Sequence, residues 1–165
     1  MVICGIGGLG HLAVQYSNKM GFKTVAISRN EDKKDLAIKL GAKYYFSTEK
    51  DDYVKEITSL GGAKAVILAG PSENIADKLI ECLKEGGKLM IVGTNTKKME
   101  FSINPIIFGK KILKAGFVLI MKLKKNVWNL VLKMKLNQWL KFISLKICQK
   151  DMKIWPLEST ISKCY

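Results

Sequence analysis

The stretch Met1-Val2-Ile3-Cys4-Gly5-Ile6-Gly7-Gly8-Leu9-Gly10-His11-Leu12-Ala13-Val14-Gln15-Tyr16 decides how the rest of the chain is read. Val2, Ile3 and Cys4 form a short apolar run of strand character, and residues 8–20 have helical composition closed by Gly21. Between them lies G-x-G-x-x-G. Alone that pattern is weak; between a buried strand and a helix it is a dinucleotide-binding fingerprint. Each glycine has a mechanical role. Gly5 permits the tight turn off the strand, Gly7 leaves room for a pyrophosphate against the backbone, and Gly10 lets helix and strand pack closely. The backbone N–H groups of Gly5, Ile6, Gly7, Gly8, Leu9 and Gly10, together with the helix dipole, then favour an anion.

Working outward, strand and helix alternate. Residues 23–28 contain the β-branched Thr24, Val25 and Ile27 and are of strand length, and residues 31–40 read as a helix with acidic residues in its first turn. Residues 43–47 are a third strand, 51–60 a helix and 63–69 a fourth strand. A helix is expected from Pro71 to Lys84, stopped by Gly86-Gly87, then a fifth strand at 88–92 and a sixth at 112–118. Short strands separated by helices of this size indicate βαβ units, and right-handed crossovers place helices on both faces. The expected fold class is α/β, a doubly wound parallel sheet of the Rossmann type.

At 165 residues the chain is long enough for one core. Its net charge of +14 is uneven: residues 119–165 carry ten lysines against Asp151 and Glu158, more than half the excess. All three tryptophans, Trp128, Trp139 and Trp155, also lie there. The four cysteines are scattered, with no C-x-x-C pair, which argues against a disulfide framework or zinc cluster. No apolar run reaches the roughly 18 residues of a membrane span, and the expectation is a soluble protein of a reducing, cytoplasmic compartment.

The end of the second strand discriminates between dinucleotides. Readers of NAD place a carboxylate there for the ribose hydroxyls. This chain has Ser28-Arg29-Asn30, with no carboxylate before Glu31 and with Lys33 and Lys34 close behind. Arg29 can fork onto a 2′-phosphate, Ser28 and Asn30 can donate to it, and the lysines add charge. NADP is favoured over NAD; a solvated helix start is the plainer alternative.

With these residues in hand the sequence resembles the cofactor domain of zinc-dependent medium-chain alcohol dehydrogenases, nearest the NADP-dependent cinnamyl-alcohol-dehydrogenase-like branch. The resemblance rests on residues 5–16, 25–29 (Val-Ala-Ile-Ser-Arg), 39–42 (Lys-Leu-Gly-Ala), 86–93 (Gly-Gly-Lys-Leu-Met-Ile-Val-Gly) and 112–118 (Ile-Leu-Lys-Ala-Gly-Phe-Val), and covers about residues 1–118. It implies cofactor contacts at Gly5 to Gly10, at Ser28, Arg29, Asn30 and Lys33, and at Gly93 beside the nicotinamide. It also implies that Gly116, Phe117 and Val118 reach the nicotinamide end, and that two copies pair through the sheet edge near residues 104–118. One departure is Leu68-Ala69-Gly70, where the family has a threonine-valine type ending to the fourth strand.

The family reaction is hydride transfer between alcohol or aldehyde and the nicotinamide at a catalytic zinc. Its zinc ligands are a cysteine, a Gly-His-Glu segment and a second cysteine in an N-terminal domain, and none of these motifs occurs here. His11 is the one histidine and reads as a packing or phosphate-side residue. No catalytic or metal-ligating residue is therefore assigned. The expectation is an NADP(H)-binding domain fragment, without the zinc catalytic domain and inactive alone. Non-catalytic dinucleotide binding, or an adaptor working through its basic tail, are the alternatives.

After Val118 the resemblance stops. The expectation for residues 119–165 is a basic apolar tail translated from a shifted frame. Back-translation of residues 122–130, read two nucleotides later, can give Ile-Lys-Lys-Glu-Cys-Leu-Glu-Phe, and residues 134–141 and 150–165 can likewise give family-like segments in the right order. The coding DNA tests this directly. The rival reading takes Lys122, Lys125, Asn129 and Lys133 as one face of a basic amphipathic helix for an anionic membrane or acidic partner. Nucleic acid is not favoured, because charge is present without a recognition motif.

Overall fold

The computed structural model describes residues 1–70, 75–93 and 98–116. Six strands, β1 (Val2–Cys4), β2 (Val25–Ser28), β3 (Tyr44–Ser47), β4 (Ala63–Leu68), β5 (Leu83–Ile91) and β6 (Ile112–Ala115), form one sheet in the order β3-β2-β1-β4-β5-β6. All neighbouring pairs are parallel; Val2 lies opposite Val25 on one side and Val66 on the other. This is the doubly wound α/β arrangement expected, with its order reversing between β1 and β4.

Helices α1 (Gly10–Lys19) and α2 (Lys34–Lys39) join the first three strands, and α3 (Tyr53–Ser59), α4 (Ala76–Glu81) and α5 (Asn104–Phe108) follow in the second half. Alternation along the strands divides the core. Ile3 and Ala26 turn to α1 and α2, where they meet Ile6, Val14 and Ala37. Val2, Cys4, Val66, Leu68 and Leu89 turn to the opposite face, where Tyr53, Ile57, Leu79 and Ile80 close over them. At the foot of α1, buried Ser17 and Thr24 share a hydroxyl hydrogen bond of 2.7 Å, and Thr24 Oγ1 also donates to the Phe22 carbonyl. Two polar side chains thereby satisfy one another where helix returns to sheet.

The structure departs from the sequence expectation in three places. Residues 31–33 form a 3-10 turn before α2, because the Asn30 side chain accepts from the Asp32 N–H and starts the turn early. Helix α4 stops at Glu81 rather than Lys84. Cys82 and Leu83 are both buried, the Cys82 carbonyl accepts from the Ala63 N–H at 2.8 Å, and the chain enters β5 at once. Pairing then shifts register between Ala63 and Ala65, so residues 84–87 leave the ladder before Lys88 resumes it. Finally, α5 was not marked by periodicity; it is five residues long, with Pro105 in its first turn. The third-strand and α3 regions agree with expectation, Asp52 capping α3 at the Lys55 N–H.

The buried thiols predict an alkaline limit. Burial, with Cys82 nearby, pushes the Cys4 thiol up to about 12. Burial, with Glu81 beside it, likewise pushes Cys82 up to about 12. Folding keeps both protonated above the ordinary value of 9.0, so their stabilising contribution is complete below pH 9 and is lost as pH rises toward 12. Each thiol adds a slope of about 1.4 kcal/mol per pH unit in that window. Denaturant midpoints measured across it should fall steeply, and Cys82→Ala should visibly flatten the fall.

Candidate cofactor site at the switch point of the sheet

Where the strand order reverses, the ends of β1 and β4 diverge to helices on opposite faces, and the crevice between them is where α/β sheets take ligands. Gly5 leaves β1 with φ +90°, a conformation that side chains resist. Its N–H donates to the Ile27 carbonyl at 2.8 Å, while the Cys4 carbonyl accepts from Ala69. The turn is thus tied to both neighbouring strands. A β-carbon on Gly10 would run into the Gly5 carbonyl oxygen, so α1 starts directly against the turn. Around Gly7 and Gly8 the opposite holds, with open space on the side a β-carbon would take.

Ile6 buries its side chain in the core, so only its backbone faces the crevice. Leu9 is the N-cap of α1, without a side-chain cap and with no acidic residue in the first turn. The N–H groups of Gly7, Gly8 and Leu9 donate to no backbone carbonyl among the described residues. Orphan donors at the positive end of a ten-residue helix form an anion cradle. His11 Nδ1 lies 2.9 Å from the Gly7 carbonyl oxygen, bracing the loop from below.

The end of β2 presents the second group. Ser28 is half-buried, Arg29 and Lys33 are exposed, and Asn30 is half-buried with its side chain engaged by Asp32. Glu31 is held by Lys50 and Lys34, whose ammonium groups keep its carboxyl below the usual carboxylate range. Among the described residues Arg29 and Lys33 enter no ion pair. The backbone under Arg29 is fixed from β3. Ser47 Oγ donates to the Arg29 carbonyl at 2.8 Å, Glu49 N–H donates to the same oxygen at 3.2 Å, and Tyr45 Oη donates to the Asn30 carbonyl. Ser47→Ala should remove about 1 kcal/mol of stability, measured by denaturant titration, because a buried hydrogen bond to the Arg29 carbonyl is lost while the Glu49 N–H keeps that oxygen from being orphaned.

Gly93 follows β5, and its missing β-carbon is matched by the Gly70 carbonyl 3.0 Å from where it would stand. Gly116 follows β6 and donates its N–H to the Ile91 carbonyl at 3.2 Å. Phe117 and Val118, like the whole of residues 119–165, lie outside the described residues. Sequence reasoning missed Gly70, Ser47 and Tyr45. A β-carbon on Gly70 would stand 3.0 Å from the Gly5 Cα, and one on Gly5 2.5 Å from the Gly70 N atom, so the two glycines together let β1 and β4 close on each other at the switch point. A glycine directly after an apolar strand was the available signal; Ser47 and Tyr45 carried none, because their partners are backbone atoms distant in sequence.

Zinc does not fit the described residues. Among them no three His, Cys, Asp or Glu side chains gather as a metal requires. Cys4 and Cys82 are buried in one core, and no third ligand joins them among the described residues. No described helix is long and apolar enough to cross a membrane.

The family model of the zinc-binding dehydrogenases matches residues 8–134. The chain belongs to the zinc-binding dehydrogenase family. Among curated relatives of this family, the alcohol dehydrogenase patD of Aspergillus clavatus is 47% identical over 92 residues, 56% of this chain and 24% of its own length. Cinnamyl alcohol dehydrogenase 7 of Arabidopsis thaliana is 32% identical over 117 residues, covering 70% of this chain and 32% of the relative. The chain thus spans about a quarter to a third of such relatives. A solved cinnamyl alcohol dehydrogenase of Sorghum bicolor superposes with a TM-score of 0.64 at 27% identity, over 71% of this chain and 33% of that one. A Sinorhizobium meliloti 1021 protein described as a zinc-binding dehydrogenase, solved with NADP bound, gives 0.65 at 25% identity over 70% and 36%.

Proposed function

We propose that residues 1–118 are an NADP(H)-binding domain of an alcohol-dehydrogenase-type oxidoreductase, and that residues 119–165 form a separate basic segment. The observation that carries this is the cradle of N–H donors over Gly7 and Gly8, which meet no backbone carbonyl among the described residues, with exposed Arg29 and Lys33 at the neighbouring strand end. Gly5, Ile6, Gly7, Gly8, Leu9 and Gly10 would hold the pyrophosphate through backbone donors. Arg29 and Lys33 would meet the 2′-phosphate with Ser28. Asn30 would hold the turn, since its amide already binds Asp32. Gly93 and Gly116–Val118 would border the nicotinamide. When bound, the cofactor supplies the hydride chemistry; the residues described here bind and orient it.

The NADP-bound relative supports the choice of NADP over NAD. Two copies would pair through β6, one of the two edge strands of the sheet among the described residues, beside exposed Ile107 and Phe108. Free thiols at Cys4 and Cys82 suit a cytoplasmic location. Titration with NADPH, followed by nicotinamide fluorescence, tests the reading: saturable binding tighter than that of NADH is expected, and no binding at millimolar cofactor would overturn it. Aldehyde and zinc added to the same sample should give no NADPH oxidation, because no zinc site forms among the described residues. Turnover would instead mean that the metal is held elsewhere.

A further inference from the structure

The turn that leaves β2 is crowded with charge of both signs. Arg29, Lys33, Lys34 and Lys50 stand against Glu31, Asp32, Glu49 and Asp51, four cations and four carboxylates. The turn has no surplus of positive charge, so whether it attracts an anion depends on how its carboxylates are occupied. The loop after β3 takes part in occupying them. Thr48 N–H donates to the Ser28 carbonyl at 2.9 Å and Glu49 N–H to the Arg29 carbonyl at 3.2 Å, which lays this loop along the end of β2. Asp51 accepts from the Ser47 N–H at 2.6 Å and closes the loop on itself. Lys50, next to the tethered Glu49, reaches Glu31 Oε2 at 2.5 Å, while Lys34 holds Glu31 Oε1 at 3.4 Å. Asp32 accepts from the Asn30 side-chain amide at 2.7 Å. Arg29, Lys33 and Glu49 enter no ion pair among the described residues.

We propose that Lys50 is a positioning residue for cofactor choice: it clamps Glu31, the carboxylate nearest Arg29 in sequence, and so leaves Arg29 and Lys33 to meet the 2′-phosphate of NADP. The proposal rests on the NADP reading above and adds to it a residue from a different strand-helix unit. A phosphate monoester carries about two negative charges, and a bare carboxylate beside it repels it. Without Lys50, Glu31 would keep only the longer contact to Lys34, and the turn would carry a net negative charge. Its carboxylate would then oppose the phosphate or draw Arg29 into a pair of its own. NADH presents a hydroxyl at that place, which a carboxylate accepts. The clamp therefore acts on the difference between the two cofactors. Its contribution to stability is small, because both partners are exposed, the Lys50 side chain at 67% and that of Glu31 at 45%.

Titrations of the full chain with NADPH and with NADH, at about 20 mM salt where exposed charges act over their longest range, test the clamp. Lys50→Gln should raise the Kd of NADPH about fivefold and change that of NADH less than about twofold. Adding Glu31→Gln to Lys50→Gln should return NADPH to within about twofold of wild type, because the carboxylate that needed the clamp is gone. Lys19→Gln, the same loss of charge in the last turn of α1, should leave both affinities standing. At about 0.5 M salt the effect of Lys50→Gln should fall below about twofold. Thermal melting of Lys50→Gln should match wild type; a lowered melting temperature with equal losses for both cofactors would make Lys50 a structural residue and overturn the proposal. A double variant as weak for NADPH as Lys50→Gln alone would mean that Lys50 touches the phosphate itself, and the clamp would be wrong. An NADPH preference untouched by Lys50→Gln would also overturn it, with the cofactor reading intact. Wild-type protein binding NADPH and NADH alike would instead remove the NADP reading and the clamp together.

Discussion

Gly10→Ala should weaken NADPH binding about 100-fold, equivalent to about 2.7 kcal/mol. The new methyl would stand where the Gly5 carbonyl oxygen lies, and that oxygen cannot yield easily. Gly5 is anchored through its N–H to Ile27, and Cys4 before it accepts from Ala69. The strain must then be relieved by moving α1 away from the turn, which carries the donors of Gly7, Gly8 and Leu9 out of register with a bound pyrophosphate. Overpacking of this kind costs about 1–3 kcal/mol of stability, so thermal melting should report the same lesion. Gly8→Ala supplies the control: no atom lies within 4 Å of the added methyl, and stability should be unchanged. Wild-type affinity in a folded Gly10→Ala variant would show that the loop is not the phosphate cradle.

The second large effect is expected at the end of β2. Arg29→Asp should raise the Kd of NADPH about 50-fold, as expected when a charge-assisted contact is replaced by repulsion, and change that of NADH less than about threefold. The backbone there is held by Ser47 and Glu49 through the Arg29 carbonyl, so the substitution alters charge without dismantling the turn. Arg29→Lys should recover only part of the loss, because an ammonium cannot fork onto phosphate oxygens as a guanidinium does. Added salt should narrow the wild-type preference, since Arg29 is exposed and its field is screened. Equal losses for both cofactors would place Arg29 outside the 2′-phosphate pocket and leave the NADP preference without its main support.

The fold was legible because its signals are local. Val2–Cys4 before Gly5, β-branched residues at Val25–Ser28 and an apolar run at Ala63–Leu68 each declare a strand without reference to anything distant. Boundaries were less legible where tertiary contacts override local preference. Lys84, Glu85 and the two glycines after them look like a helix end, yet burial of Cys82 and Leu83 draws the chain into the sheet earlier. The site divides in the same way. Gly5, Gly10 and Arg29 could be named from spacing, whereas the engagement of Asn30 by Asp32 and of Glu31 by Lys50 appears only once the turn is folded.

The sequence by itself therefore determined the glycine turn that leads from β1 into α1, because a turn too tight for side chains is written as glycine at fixed spacing. It also determined the parallel α/β order through short strands alternating with helices. Tertiary structure alone decided which glycines are obligatory. The fit of Gly5 against Gly70 and of Gly10 against the Gly5 carbonyl joins atoms from different strands and helix ends, whereas Gly7 and Gly8 meet only open space.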